Sequence, residues 1–149
     1  MKKILVVAII VVGLSGLLEK NPQWLGSLFP GKDTQSNTEA VQRISHAYQN
    51  QQSDVQVGGE GIVIRLLPDD TRGSQHQKFI LELSNGQTLL VAHNIDLAPR
   101  INALSRGDKV EFFGEYEWNA KGGVLHWTHH DPKGRHVGGW LKHQGITYQ

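Results

Sequence analysis

The chain has 149 residues, a formal net charge of +1 with histidine neutral, and no cysteine. That length holds one domain of ordinary size, and the near-neutral balance excludes a protein drawn as a whole onto nucleic acid or anionic lipid by its net field. Without cysteine there is no disulfide framework, thiolate zinc site, cysteine nucleophile or lipoprotein attachment residue, so packing must hold the core.

Lys2 and Lys3 precede an apolar run from Ile4 to Leu18, which ends at Glu19, Lys20, Asn21 and Pro22. A helix over that run would measure about 22 Å against about 30 Å of bilayer hydrocarbon. Residues 1–20 therefore read as a signal peptide or, if uncleaved, as a membrane anchor through residues 4–18, and the remainder as exported to the periplasm or beyond. Residues 21–54 read as a linker rich in turn formers (Pro22, Gly26, Pro30, Gly31, Ser36) followed by an amphipathic helix. The helix is expected from about Glu39 to Gln51, with Ser36 and Glu39 as a capping box and Val41, Ile44 and Tyr48 at helical steps.

From Val55 the apolar period changes to two, and residues 55–149 read as the folded domain with a C-terminal tail. A strand is expected over Gly61 to Leu67, with Gly58, Gly59 and Gly61 allowing a sharp bend. Two β-rich runs, His76 to Leu83 and Gln87 to Ala92, flank Asn85-Gly86 and predict a hairpin. Asp96, with Leu97, Ile101 and Leu104 at helical steps, predicts a short helix ended by Gly107-Asp108. "KVEFFGEYEWN" and "GGVLHWTHH" predict a second hairpin around Asn119 to Gly123. Five short antiparallel strands with one helix between the third and fourth is the order of a small, mainly β OB-fold-like barrel.

The spacing of Leu104, Gly107, Asp108, Val110, Phe112 and Gly114 resembles the helix-to-fourth-strand passage of many OB-folds. A wider resemblance, carried by "GQTLLVAHNIDLAPRI", "GEYEWN", "GGVLHWTHHDP" and "GRHVGGWLKH", is to a functionally uncharacterised family of small exported bacterial proteins. It implies a single domain over about Gly58 to Gln149, and no chemistry.

The segment "HHDPKGRH", His129 to His136, is the densest in candidate chemistry. Asp131-Pro132-Lys133-Gly134 has the residues of a type I turn. A tight reversal there would set His129 opposite His136 and bring both imidazoles and the Asp131 carboxylate to one face, between Trp127 and Trp140. Such a set suits one divalent metal ion. The tail adds Lys133, Arg135 and Lys142 around Trp140, cations and a flat ring of the kind that holds an oligomeric nucleic acid or glycan on an OB barrel. His76, at a strand end, and Arg100, expected to approach it, are further ligand-binding candidates. Glu115 and Glu117 share a strand face. Three functions follow: an envelope module that binds nucleic acid or glycan, a nuclease-like metal-dependent hydrolase using the His/Asp cluster, or a docking module without chemistry.

Overall fold

A computed structural model describes residues 32–149, and the chain divides into Met1–Gln35 and Ser36–Gln149. The expected signal or anchor segment and the linker up to residue 31 lie outside the described residues. Among the described residues, no helix is long and apolar enough to cross a membrane.

Among the described residues the elements are one helix, α1 (Lys32–Gln49), and seven strands: β1 (Val55–Asp70), β2 (His76–Glu82), β3 (Thr88–Asn94), β4 (Lys109–Glu117), β5 (Val124–His126), β6 (Trp140–His143) and β7 (Ile146–Tyr148). The strand order is β1-β2-β3-β5-β4-β6-β7, and an additional β1–β4 pairing closes the first five into a ring. The expected first strand, Gly61 to Leu67, proves to be the middle of a 16-residue strand. Its first half pairs with β4 from Val55 to Ile62 and its second half with β2, the register shifting between Val63 and Arg65. Such an irregularity bends a strand, and here the bend falls where β1 changes partner. The Asn85-Gly86 hairpin forms as expected, with Gly86 at φ 82°. β3 and β5 run parallel, Leu90 beside Val124.

Alternation along each strand sends one face inward. Val57, Val63, Phe79, Leu81, Val91, Phe112, Tyr116, Leu125 and Leu141 make a continuous core, joined by Val41, Ile44 and Ala47 from α1. Burying each larger side chain contributes about 1.5–3 kcal/mol. The helix also bonds to the strand turns: Asn85 Nδ2 donates to Ser45 Oγ, and Trp118 Nε1 donates to the Tyr48 carbonyl. Ser36 is not the expected cap, because α1 begins four residues before it; the residue that ties this turn to the sheet is Asn37, whose Oδ1 accepts the Glu60 N–H.

The short helix expected after Asp96 does not form. Residues 95–108 run as successive turns, and side chains, one of them distant in sequence, occupy backbone groups a helix would have used. Asn94 Oδ1 accepts the Asp96 N–H, and Asp96 turns its carboxylate back to the Gln75 N–H instead of capping forward. The Gln77 amide bridges Ile101 on both sides, accepting its N–H and donating to its carbonyl, each at 2.9 Å. Ala98, Ile101 and Leu104 still bury themselves, while Leu97 is exposed. The Gln77 bridge is fully enclosed, so Gln77→Ala, which strands two buried backbone groups, should lower stability by about 2–4 kcal/mol in urea unfolding. A change under about 0.5 kcal/mol would mean that water reaches Ile101.

The tail is also more regular than expected. β6 pairs with β4, Val110 opposite His143 and Phe113 opposite Trp140, and β7 folds back on β6. The connecting Gln144 and Gly145 both have positive φ, the backbone of a tight hairpin turn. His143 is buried, and its Nε2 lies 2.8 Å from Asp108 Oδ2, locking β6 to the β3–β4 connection. The inward residues of β6 are Leu141, at 0 % exposure, and His143. Two glycines before a Trp-Leu pair predict that Trp140 docks into the core, but it points outward and is half-buried: period-two alternation allows only one of two consecutive residues to enter the core.

Candidate functional site on the outer face of β4

The outward residues of β4 are Glu111, Phe113, Glu115 and Glu117, and the register gives each a cross-strand neighbour. Glu111 stands opposite Lys142, Phe113 opposite Trp140, Glu115 opposite His126 and Glu117 opposite Val124. On the other side, β1 sets Glu60, Gly58 and Gln56 beside Glu111, Phe113 and Glu115. Gly58 is required here: a Cβ would come within 2.9 Å of the Phe113 ring. The ring therefore lies over bare backbone and stacks with Trp140, centroids 6.3 Å apart at 24°.

β5 is short because Trp127 adopts φ 53°, which turns the chain out of the strand. The segment that follows returns over β4. Asp131 closes the expected turn, its carbonyl accepting the Gly134 N–H. Its carboxylate accepts three more backbone N–H groups, from Lys133, Arg135 and His136; these bonds hold it below the usual carboxylate range. The reversal is wider than a tight hairpin, since the His129 carbonyl pairs with the Gly139 N–H and not with His136. At Gly139 a Cβ would strike the carbonyls of Trp127 and Phe113, so only glycine lets the returning strand lie this close.

His136 is brought onto the face by this return. Its ring stacks on Trp127, centroids 3.8 Å apart at 10°. Nδ1 lies 2.8 Å from the Val137 carbonyl and Nε2 lies 2.6 Å from Glu115 Oε2. Both nitrogens face acceptors, so both must donate, which favours the imidazolium. Desolvation opposes the charge, yet the bonds to Glu115 and Val137 outweigh it and raise the pKa of His136. The other oxygen of Glu115 faces His126, 3.2 Å from Nε2, and Glu117 Oε1 is 3.5 Å from the same nitrogen.

The nine residues expected to bind ligand or metal are thus distributed over several places. Trp140 and Lys142 lie on this face, Lys142 3.6 Å from Glu111. Lys133 and Arg135 are exposed on the adjoining turn. His76 and Arg100 belong to the strand ends near Asp69 and Asp70: His76 opens β2 opposite Asp70, and Arg100 clamps Asp69 at 2.8 Å. His129, Asp131 and His136 do not converge as ligands. His129 is buried and its Nδ1 faces the His130 carbonyl, while Asp131 and His136 are engaged as described. Among the described residues, the group whose donor atoms all lie within 4.8 Å of one another is Glu115, Glu117 and His126. Of these, His126 is set aside in sequence when paired with His129 or His130, and its partners prove to be the two glutamates across the strand. Counting outward from the Asn119–Gly122 turn with a six-residue loop would have placed it opposite Glu115.

Over the described residues these features define a small, mainly β fold with one helix, a ring of five strands, and an aromatic, glutamate and histidine surface on β4. Residues 32–149 match the family described as "Protein of unknown function (DUF3465)", and the chain belongs to that family. No curated protein matches the sequence.

Proposed function

We propose that the chain is an exported, OB-type binding module of the cell envelope that holds a glycan across the outer face of β4, β5 and β6. The N-terminal Lys2, Lys3 and apolar run support export, and the ring order with its parallel β3–β5 contact supports a barrel of OB type. One observation carries the ligand class: the Phe113–Trp140 stack borders Glu111 and Glu115, so flat rings adjoin carboxylates. Apolar ring faces next to oxygen acceptors suit a sugar, whose C–H faces pack on aromatics and whose hydroxyls donate. The same carboxylates repel a phosphate backbone. Lys142 and Arg100 already face Glu111 and Asp69, which leaves little of the cation excess that single-strand binding requires.

A chitooligosaccharide, chosen because it shares the β-1,4-linked N-acetylglucosamine chemistry of envelope glycans, should bind the full chain with a Kd between about 10 μM and 1 mM, roughly 4 to 7 kcal/mol. Trp140→Ala should weaken it at least tenfold in calorimetric titration. Tight single-stranded DNA binding that falls steeply with salt, without sugar binding, would overturn the assignment.

A further inference from the structure

Glu115 and Glu117 lie two residues apart on the outward face of β4, and the β4–β5 register sets His126 opposite the first of them. We propose that these three side chains form a site for one divalent transition-metal ion, with His136 orienting Glu115 from behind. This stands apart from the glycan assignment, since ion uptake is read without any sugar present.

The spacing is the first support. Two ligands bound at about 2.0–2.2 Å with bond angles between about 90° and 110° stand about 2.8–3.6 Å apart. His126 Nε2 is 3.2 Å from Glu115 Oε1 and 3.5 Å from Glu117 Oε1, so the donors already have the separations of neighbours around one ion.

The second support is independent of the carboxylates. Among the described residues, two side-chain polar atoms are enclosed with no hydrogen-bond partner: Nε2 of His126 and Nε2 of Gln56. Both belong to cross-strand neighbours of Glu115, one on each side. Enclosed polar atoms are normally paired. His126 Nε2 is near enough to both carboxylates for attraction but misaligned for a hydrogen bond, and an ion between them would satisfy that nitrogen and offset the repulsion of the two glutamates.

The third support is the outer shell. His136 Nε2 donates to Glu115 Oε2 at 2.6 Å while its ring is held on Trp127, which fixes the carboxylate with Oε1 toward His126. Metal-binding carboxylates and imidazoles are commonly fixed in this way. One imidazole nitrogen with two carboxylate oxygens favours zinc or manganese over calcium or magnesium, which take oxygen alone.

The test uses the full chain without a polyhistidine tag, stripped with chelator and titrated with ZnCl2 and with MnCl2, by calorimetry and by thermal melting. One Zn2+ per chain should bind, raising the melting temperature and reversing on chelation. Glu117→Gln should weaken uptake at least tenfold while leaving the melting temperature of the metal-free protein near that of the parent. The Glu117 side chain is 34 % exposed, so this isosteric variant is expected to fold as the parent does. No zinc or manganese uptake, or equal affinity in Glu117→Gln, overturns the site. Loss of uptake in His129→Ala with full uptake in Glu117→Gln would place the ion on the histidine segment instead, and overturns it equally.

Discussion

Leu141→Ala is expected to lower the unfolding free energy by about 3–4 kcal/mol, and Trp140→Ala by about 1–2 kcal/mol, although tryptophan is the larger side chain. Leu141 is fully buried against the strand core, whereas Trp140 leans on Phe113 from outside. Truncating leucine removes transfer energy and leaves a cavity that rigid strands cannot close. Truncating tryptophan removes one stacking contact from a ring already half in water and uncovers more of the half-buried Phe113. Urea unfolding of both variants separates the cases, with unchanged denaturant slope expected for each. If Trp140→Ala proved the costlier, β6 would have to sit one residue out of register, and the ligand face would lose its platform.

Acid sensitivity has one dominant source between pH 6.5 and 4. His93 is fully buried, its Nε2 is 3.1 Å from the Pro99 carbonyl and its Nδ1 is 2.8 Å from Thr128 Oγ1. A carbonyl only accepts, so Nε2 carries the proton and Nδ1 accepts the threonine hydroxyl. A second proton would break the Thr128 bond and place charge in the core. Burial therefore lowers the pKa to about 4, against the pull of the Pro99 carbonyl, with the charges of His129 and His76 adding to the drop. The sign follows from linkage. Above pH 6.5 neither state is protonated at His93 and its full contribution is present. From pH 6.5 down to about 4 the unfolded chain takes up a proton that the folded chain refuses, and stability falls by about 1.4 kcal/mol per pH unit, about 3 kcal/mol in all. Asp108 and Asp131, whose pKa values are lowered by backbone bonds, add their losses only below the ordinary carboxylate value of 3.8. His93→Gln should reduce stability at pH 7 yet flatten the slope between pH 6.5 and 4. A slope equal to the parent's would show that another group carries the acid response.

Much of the ring was legible in sequence because local chemistry and tertiary structure agree there. Asn85-Gly86 forces its turn, and the alternation of Phe79, Leu81 and Leu83 matches the buried face. The short helix failed because its apolar spacing is shared by a chain of turns whose backbone is satisfied from a distance: nothing local announces that Gln77, 24 residues earlier, bonds Ile101. β6 and β7 were readable, since "WLKHQGITY" alternates around Gln144-Gly145, but the glycines and histidines before it masked the change of period. The site was half legible. Glu115 and Glu117 share a face by alternation alone, whereas the arrival of His126 depends on loop length, and that of His136 on a positive φ at Trp127 and the absence of a Cβ at Gly139. The Asp131 turn was visible, but it uses up the carboxylate that sequence proximity offered to a metal.

The most direct measurement is backbone amide mapping of the uniformly 15N-labelled full chain during titration with chitotetraose, at neutral pH and with chelator present. Shifts centred on Phe113, Glu115, Trp127, Trp140 and Lys142 would place the sugar on the outer face of β4, β5 and β6, and Trp140→Ala should abolish them. Saturating shifts confined to His76, Arg100 and the β1–β2 turn, or no saturating shift at any concentration up to about 5 mM, a range that covers even millimolar affinities, would contradict the account.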